Sequence, residues 1–142
     1  MQIIVTGHGN FASGIESTVK LLAGSIKNIK YIDFTEDMNE ESLMKKFEEA
    51  IKLNEHIVFF CDLLGGIPYK QAAILSTKSK KDISVICGCN VGSLLENGLT
   101  GLDKFNDSTE LAQALIESTK KGIRQFGVSN HSTATEKLSD GI

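Results

Sequence analysis

The chain has 142 residues, 41% of them hydrophobic and 23% charged, with a formal net charge of −3. That length suits one domain with a substantial core, and no cluster of Lys and Arg marks a nucleic-acid face. Its apolar runs are strand-length, short of the ~20 residues a membrane span needs. The opening Met1-Gln2-Ile3 reads as no secretory signal, so a cytoplasmic protein is expected.

Ile3 to Thr6 is short and uniformly apolar, which predicts a first strand. Gly7-His8-Gly9 falls on the tight turn that follows. Phe11, Ile15, Val19 and Leu22 then recur at helical spacing until Gly24 stops them. Ile29 to Phe34 predicts a second strand. Asn39 offers an N-cap, and Glu40 and Glu41 suit the positive end of a helix striped by Leu43, Phe47, Ala50 and Ile51. Ile57 to Cys61 has the pattern of a strand buried on both faces. It ends at Asp62, followed by Leu63-Leu64-Gly65-Gly66-Ile67. Pro68, the sole proline, fits the first turn of a third helix. Ile83 to Cys87 predicts a fourth strand, with a short helix around Leu94-Leu95-Glu96. Asp107 and Glu110 form a box-like cap for a last helix through Leu111, Leu115 and Ile116. Ile123 to Val128 is expected as a fifth, edge strand, which makes residues 1–128 the domain and 129–142 a polar tail.

Four strands alternating with helices imply an α/β fold: a three-layer αβα sandwich around a parallel sheet. In the flavodoxin-like order 2-1-3-4, strands one and three are neighbours whose carboxyl ends meet at a topological switch point. His8 and Asp62 both lie there. The cysteines Cys61, Cys87 and Cys89 are odd in number and sit in apolar surroundings, which suits reduced, buried thiols. They complete no metal-ligand spacing, so neither a metal nor a cofactor is expected. His56 begins strand three at the opposite end and His131 lies in the tail; neither position suggests a role. Phe11 and Tyr69 read as core residues at loop–helix junctions.

Two chemistries compete for the first glycine loop. Gly7-x-Gly9-x-x-Ala12 fits a relaxed dinucleotide fingerprint, with Asp33 placed to hold a ribose. Against it, the chain is short for such a domain, and the His8 imidazole would project where a pyrophosphate needs close backbone approach. Asp62 and Gly65-Gly66 favour the other reading. A carboxylate that accepts from Nδ1–H of a neutral imidazole fixes the tautomer and leaves Nε2 as nucleophile. Glycine turns let main-chain N–H groups face an anion. Phosphoryl transfer needs mainly positioning and aimed dipoles. The expected site is therefore a phosphohistidine pair, His8 and Asp62, with Gly9, Asn10, Leu64, Gly65 and Gly66 around the phosphate. A third reading, a receiver-like regulator phosphorylated on Asp62, lacks the acidic pair after strand one that would hold magnesium.

Four segments carry a family resemblance, in order, over roughly residues 1 to 128. Gly7-His8-Gly9, Tyr31-Ile32-Asp33-Phe34, Asp62-Leu63-Leu64-Gly65-Gly66-Ile67-Pro68 and Val85-Ile86-Cys87-Gly88-Cys89-Asn90 resemble the enzyme IIA components of the mannose-family sugar phosphotransferase system. The resemblance implies a phosphotransferase that carries a phosphoryl group on His8 Nε2, with Asp62 as its hydrogen-bond partner. It implies the phosphorylated histidine-containing carrier protein as donor and a histidine of enzyme IIB as acceptor, with sugar entering through a membrane permease. It also implies a homodimer that exchanges the antiparallel last strand near Ile123 to Val128. Mannose, fructose, sorbose and N-acetylated hexosamines all fall within this family's range. Enzyme IIB is expected on a separate polypeptide, since the chain ends soon after the matching region. Two positions depart from the family pattern. Ile67 stands where a small hydroxyl residue is common, and Asn90-Val91-Gly92-Ser93 lacks the proline and methionine that usually open the next helix.

Overall fold

Among the described residues every strand is parallel to its neighbours, so each connection returns through a crossover helix, and the helices must cover both faces of the sheet. The computed structural model describes residues 1–128. Its elements are β1 (Gln2–His8), α1 (Phe11–Ala23), β2 (Ile29–Phe34), α2 (Glu40–Ala50), β3 (His56–Cys61), α3 (Ile67–Lys78), β4 (Asp82–Cys87), α4 (Val91–Leu99) and α5 (Ser108–Gly122), with a 3₁₀ turn at Leu102–Lys104. The sheet order is β2-β1-β3-β4, as expected.

Alternation along the two central strands builds two cores. Ile3, Val5, Val58 and Phe60 face one side, where Ala12 of α1, Leu94 of α4 and Leu111 and Leu115 of α5 close over them. Ile4, Ile57, Phe59 and Cys61 face the other, under Leu43 and Phe47 of α2 and Ala72 and Leu75 of α3. Each fully buried Leu, Ile or Phe side chain contributes roughly 1.5–3 kcal/mol relative to exposure. This two-sided burial explains why β1 and β3 read as unbroken apolar runs.

Helix starts follow the sequence closely. The Asn39 side chain accepts from Ser42 N at 2.8 Å, and Ser42 Oγ accepts from Asn39 N at 3.0 Å, a complete capping box. Asp107 accepts from Glu110 N at 2.8 Å, while Glu110 reaches back to Asn106 N at 2.7 Å, one residue short of a true box. At the position departing from the family pattern, Asn90 caps α4 by accepting from Ser93 N at 2.9 Å.

Three differences stand out. Strand β1 continues through His8 because β2 extends to Phe34 and still pairs with it there. The 3₁₀ turn is too short to leave a periodic signal. The stretch 123–128 is not a strand within the single chain: it leaves α5 with Ile123 73% and Phe126 75% exposed. Strand β4 ends the sheet on its side, its outer edge unpaired among the described residues. His131 and the expected polar tail lie outside the described residues.

Lys81 secures the end of the fold opposite the strand termini. Its ammonium donates to the carbonyls of Ile51 (2.7 Å), Lys52 (2.9 Å) and Asn54 (2.9 Å), where the chain turns out of α2 and the helix dipole favours a cation. Lys81→Met keeps the stem and removes the charge. It is expected to lower stability by about 1–2 kcal/mol in denaturant unfolding.

Candidate functional site

The register brings the site together. Thr6 pairs with Cys61 and His8 with Phe34, so β1 overshoots the end of β3 by two residues. Asp62 leaves β3 at that end, with its own N–H on Thr6 O at 3.1 Å. Its carboxylate then turns to His8. Asp62 Oδ2 accepts from His8 N at 2.9 Å and pairs with His8 Nδ1 at 2.8 Å, while Oδ1 accepts from Leu63 N at 2.9 Å. An ionised carboxylate can only accept, so in the neutral ring Nδ1 carries the proton and Nε2 keeps its lone pair. The His8 side chain is 44% exposed and that of Asp62 10%: the ring faces solvent and its anchor does not.

Burial alone would raise the Asp62 carboxyl, but the hydrogen bonds from His8 N, His8 Nδ1 and Leu63 N outweigh it. Its pKa lies below the ordinary carboxylate value. The same carboxylate acts on its neighbours. Burial first, and then the charge of Asp62, push the Cys89 thiol up to about 12 and the Cys61 thiol higher still. Both remain protonated, as expected for reduced packing cysteines.

Glycine supplies close approach at two points. A Cβ on Gly7 would lie 2.6 Å from Phe11 Cδ1 and 2.8 Å from Asp62 Cβ and Cγ, so Gly7 makes room for the carboxylate. A Cβ on Gly66 would lie 2.6 Å from His8 Cε1 and 3.3 Å from Nε2. Gly66 is also the N-cap of α3 and makes no side-chain cap, so the Cε1–Nε2 edge of the imidazole rests on an open helix N-terminus. Gly9 and Gly65 take left-handed turns, with φ of 59° and 77°. Leu64 is 71% exposed.

Phe34 was not anticipated. Its ring meets His8 edge to face at 6.1 Å, and its carbonyl accepts from Gly9 N at 2.8 Å. Only its place one residue after Asp33, at the end of a strand neighbouring β1, could have signalled it. Asp33 turns to the neighbouring helix: its Oδ1 accepts from Ser13 N at 2.9 Å, at the start of α1. A groove along the outer edge of β2, lined by Tyr31, Lys30, Glu49 and Leu53 among others, does not reach His8 or Asp62.

A second pair shows that a histidine beside a carboxylate is not sufficient. His56 Nδ1 lies 2.7 Å from Asp82 Oδ2 at the opposite end of the sheet. There Asp82 also accepts from Ser108 N at 2.6 Å and Ser108 Oγ at 2.7 Å. Its work is to fasten α5, and the N-terminus beside it is already occupied by acids. Among the described residues no group of three His, Cys, Asp or Glu could hold a metal.

The family model for the phosphotransferase-system fructose IIA component, EIIA-man, matches residues 2–116. The chain belongs to this family. It is 34% identical over 98 residues to the sorbose-specific EIIA component of Lacticaseibacillus casei, covering 68% of this chain and 70% of that one. It is 29% identical over 125 residues to the mannose-specific EIIAB component of Escherichia coli K12, covering 86% of this chain but only 38% of that protein's length. The crystal structure of the EIIA component from Streptococcus agalactiae superposes with a TM-score of 0.82 at 31% identity, covering 88% of this chain and 96% of that one. None of these matches supports the dinucleotide reading of the EIIA-man loop at Gly7–Ala12.

The depressed Asp62 pKa sets a pH dependence. A carboxyl whose folded pKa is below its unfolded value stabilises above the unfolded value, about 3.9, and loses that contribution as pH falls through the folded one. The Asp62 carboxyl carbon is therefore expected to titrate below about pH 3.9 in ¹³C NMR. In His8→Ala, which removes the ring donor, the midpoint should rise.

Proposed function

We propose that this chain is a phosphoryl carrier, the IIA component of a sugar phosphotransferase system, phosphorylated on His8 Nε2. The observation that carries the reading is the geometry of that ring. Nδ1 is committed to Asp62 at 2.8 Å, and Gly66 lies under the Cε1–Nε2 edge. The Nε2 lone pair attacks the phosphorus of the donor's phosphohistidine. A new N–P bond forms at His8 as the donor's N–P bond breaks, and the donor imidazole leaves with its electron pair. The positive charge that develops on the His8 ring faces the Asp62 carboxylate through Nδ1–H. Onward transfer is the same displacement with His8 as the leaving imidazole.

The phosphoryl oxygens would be received by Gly9 and Asn10 on one side and by Leu64, Gly65 and Gly66 on the other. Ile67, in place of a small hydroxyl residue, leaves this task to main-chain groups and Asn10. The donor is the phosphorylated histidine-containing carrier protein, and the acceptor is a histidine of enzyme IIB serving a sugar permease. An open strand end suits exchange between two proteins, and the exposed Leu63 and Leu64 beside Asp62 offer an apolar rim for both. No helix of the described residues is long and apolar enough to cross a membrane, which fits a cytoplasmic carrier that associates with its permease through partners. The exposed Ile123, Phe126 and Val128 and the open edge of β4 support a homodimer in which this stretch pairs, antiparallel, with the partner's sheet.

Incubation with phosphorylated carrier protein should place one acid-labile, base-stable phosphate on His8, and His8→Ala should take none. Asp62→Asn should slow labelling by about 10- to 100-fold, the usual cost of losing the group that orients a histidine. Undiminished labelling of His8→Ala would overturn the proposal. Truncation before Ile123 should turn a dimer into a monomer in sedimentation; an unchanged dimer would contradict strand exchange.

A further inference from the structure

Three helices of this fold open on the same pattern, Asn-x-x-Ser: Asn10 to Ser13 at α1, Asn39 to Ser42 at α2, and Asn90 to Ser93 at α4. At α2 and α4 the asparagine acts as an ordinary N-cap. Its backbone is extended, with φ and ψ of −119° and 176° at Asn39 and −138° and 155° at Asn90, and its side chain accepts from the serine N–H. At α1 the same four-residue pattern behaves differently. Asn10 has φ −95° and ψ 24°, and its side chain makes no capping bond. The N–H of Ser13 is taken by Asp33 Oδ1 at 2.9 Å, from the end of β2.

We infer that Asp33 caps α1 in place of Asn10, so that the Asn10 carboxamide is free to donate to the phosphoryl group on His8. The inference rests on His8 as the phosphorylated residue. Asn10 is exposed and two residues beyond His8, across the left-handed Gly9. As a cap its carboxamide would be tethered through the oxygen to Ser13 N, with its N–H donors held over the helix start. Untethered, it can turn both N–H donors toward a ring that is to carry a charged group. A carboxylate is well suited to the vacated task, since a helix N-terminus favours negative charge. That contact also turns the charge of Asp33 toward the helix. The neighbouring Phe34 bears on His8 directly, so the end of β2 holds both the ring and the loop that follows it. Asp33 is thus a positioning residue: it acts on the phosphate only through Asn10.

A double-mutant cycle on the full chain tests this, with two readouts that should move differently. The probe is phosphoramidate, a small donor whose P–N bond breaks and releases ammonia as the N–P bond forms at His8 Nε2. Asn10→Ala should slow labelling about tenfold, the effect of one hydrogen bond to a charged group, while the unfolding equilibrium stays within about threefold because Asn10 caps nothing. Asp33→Ala should slow labelling by a similar factor, because Asn10 is drawn back onto Ser13. That recapture should also keep its unfolding equilibrium near wild type. The double variant should label no more slowly than either single one, yet be about tenfold less stable in the unfolding equilibrium, having lost both caps. Asp33→Asn, whose carboxamide oxygen can still accept from Ser13, should recover most of the rate. Labelling of Asn10→Ala at the wild-type rate, or additive rate losses in the double variant, would overturn the inference while leaving His8 as the acceptor. Wild-type protein that takes no label on His8 would overturn the phosphoryl-carrier reading, and this inference with it.

Discussion

A single carboxylate oxygen governs the site. Asp62 Oδ2 accepts from both the main-chain N–H and the imidazole Nδ1 of His8. It therefore fixes where the residue begins and how its ring is turned. Two bonds to one atom leave the ring little freedom, and they join the ends of β1 and β3 where no further strand pairing does so. The tautomer of the neutral ring and the lowered pKa of Asp62 both follow from that contact. So does the requirement for Gly7, since the carboxylate occupies the space a side chain would need there.

The comparison with His56 and Asp82 shows how differently two such pairs can be surrounded. The two pairs have nearly the same separation, 2.8 Å and 2.7 Å. Asp82 shares its oxygens with Ser108 and serves α5, at the end of the sheet where strands begin. Asp62 serves only its own turn and His8, at the end where strands finish and helices α1 and α3 start. A glycine lies under one ring, and a capped, acid-rich helix start lies beside the other pair. The connectivity makes this difference: helices that follow a strand, such as α1 and α3, start where strands finish, whereas α5 follows α4 and starts at the other end, where its own caps occupy it.

Much of this was legible along the chain. The apolar runs predicted β2 with its observed bounds, and β3 and β4 to within a residue. Asn39, Pro68 and Asp107 marked their helix starts through known capping chemistry. His8 and Asp62 could be paired because the strand order follows from alternation and handedness. The edge strand at Ile123–Val128 was read from β-branched and aromatic residues, but such residues make a strand only where an open edge accepts them. Among the described residues this stretch pairs with neither edge of the sheet. Phe34 carried no signal because an aromatic at a strand end looks like core whether or not an exposed imidazole lies beside it. The three Asn-x-x-Ser patterns are the sharpest limit: identical local signals, two of which cap while the third is displaced.

The sequence by itself determined the elements, the strand order and the residues that converge at the switch point. These depend on periodicity, turn chemistry and chain connectivity, all of which are local or nearly so. Only the tertiary structure decided which atoms meet there: that Asp62 grips Nδ1, that Gly66 lies under the ring, that Phe34 makes a T-shaped contact with it, and that Asp33 rather than Asn10 caps α1. Each of those contacts joins residues 20 to 58 positions apart or turns on a gap of a few tenths of an ångström. No one-dimensional pattern encodes separations of that kind, because they are set by how both cores pack at once.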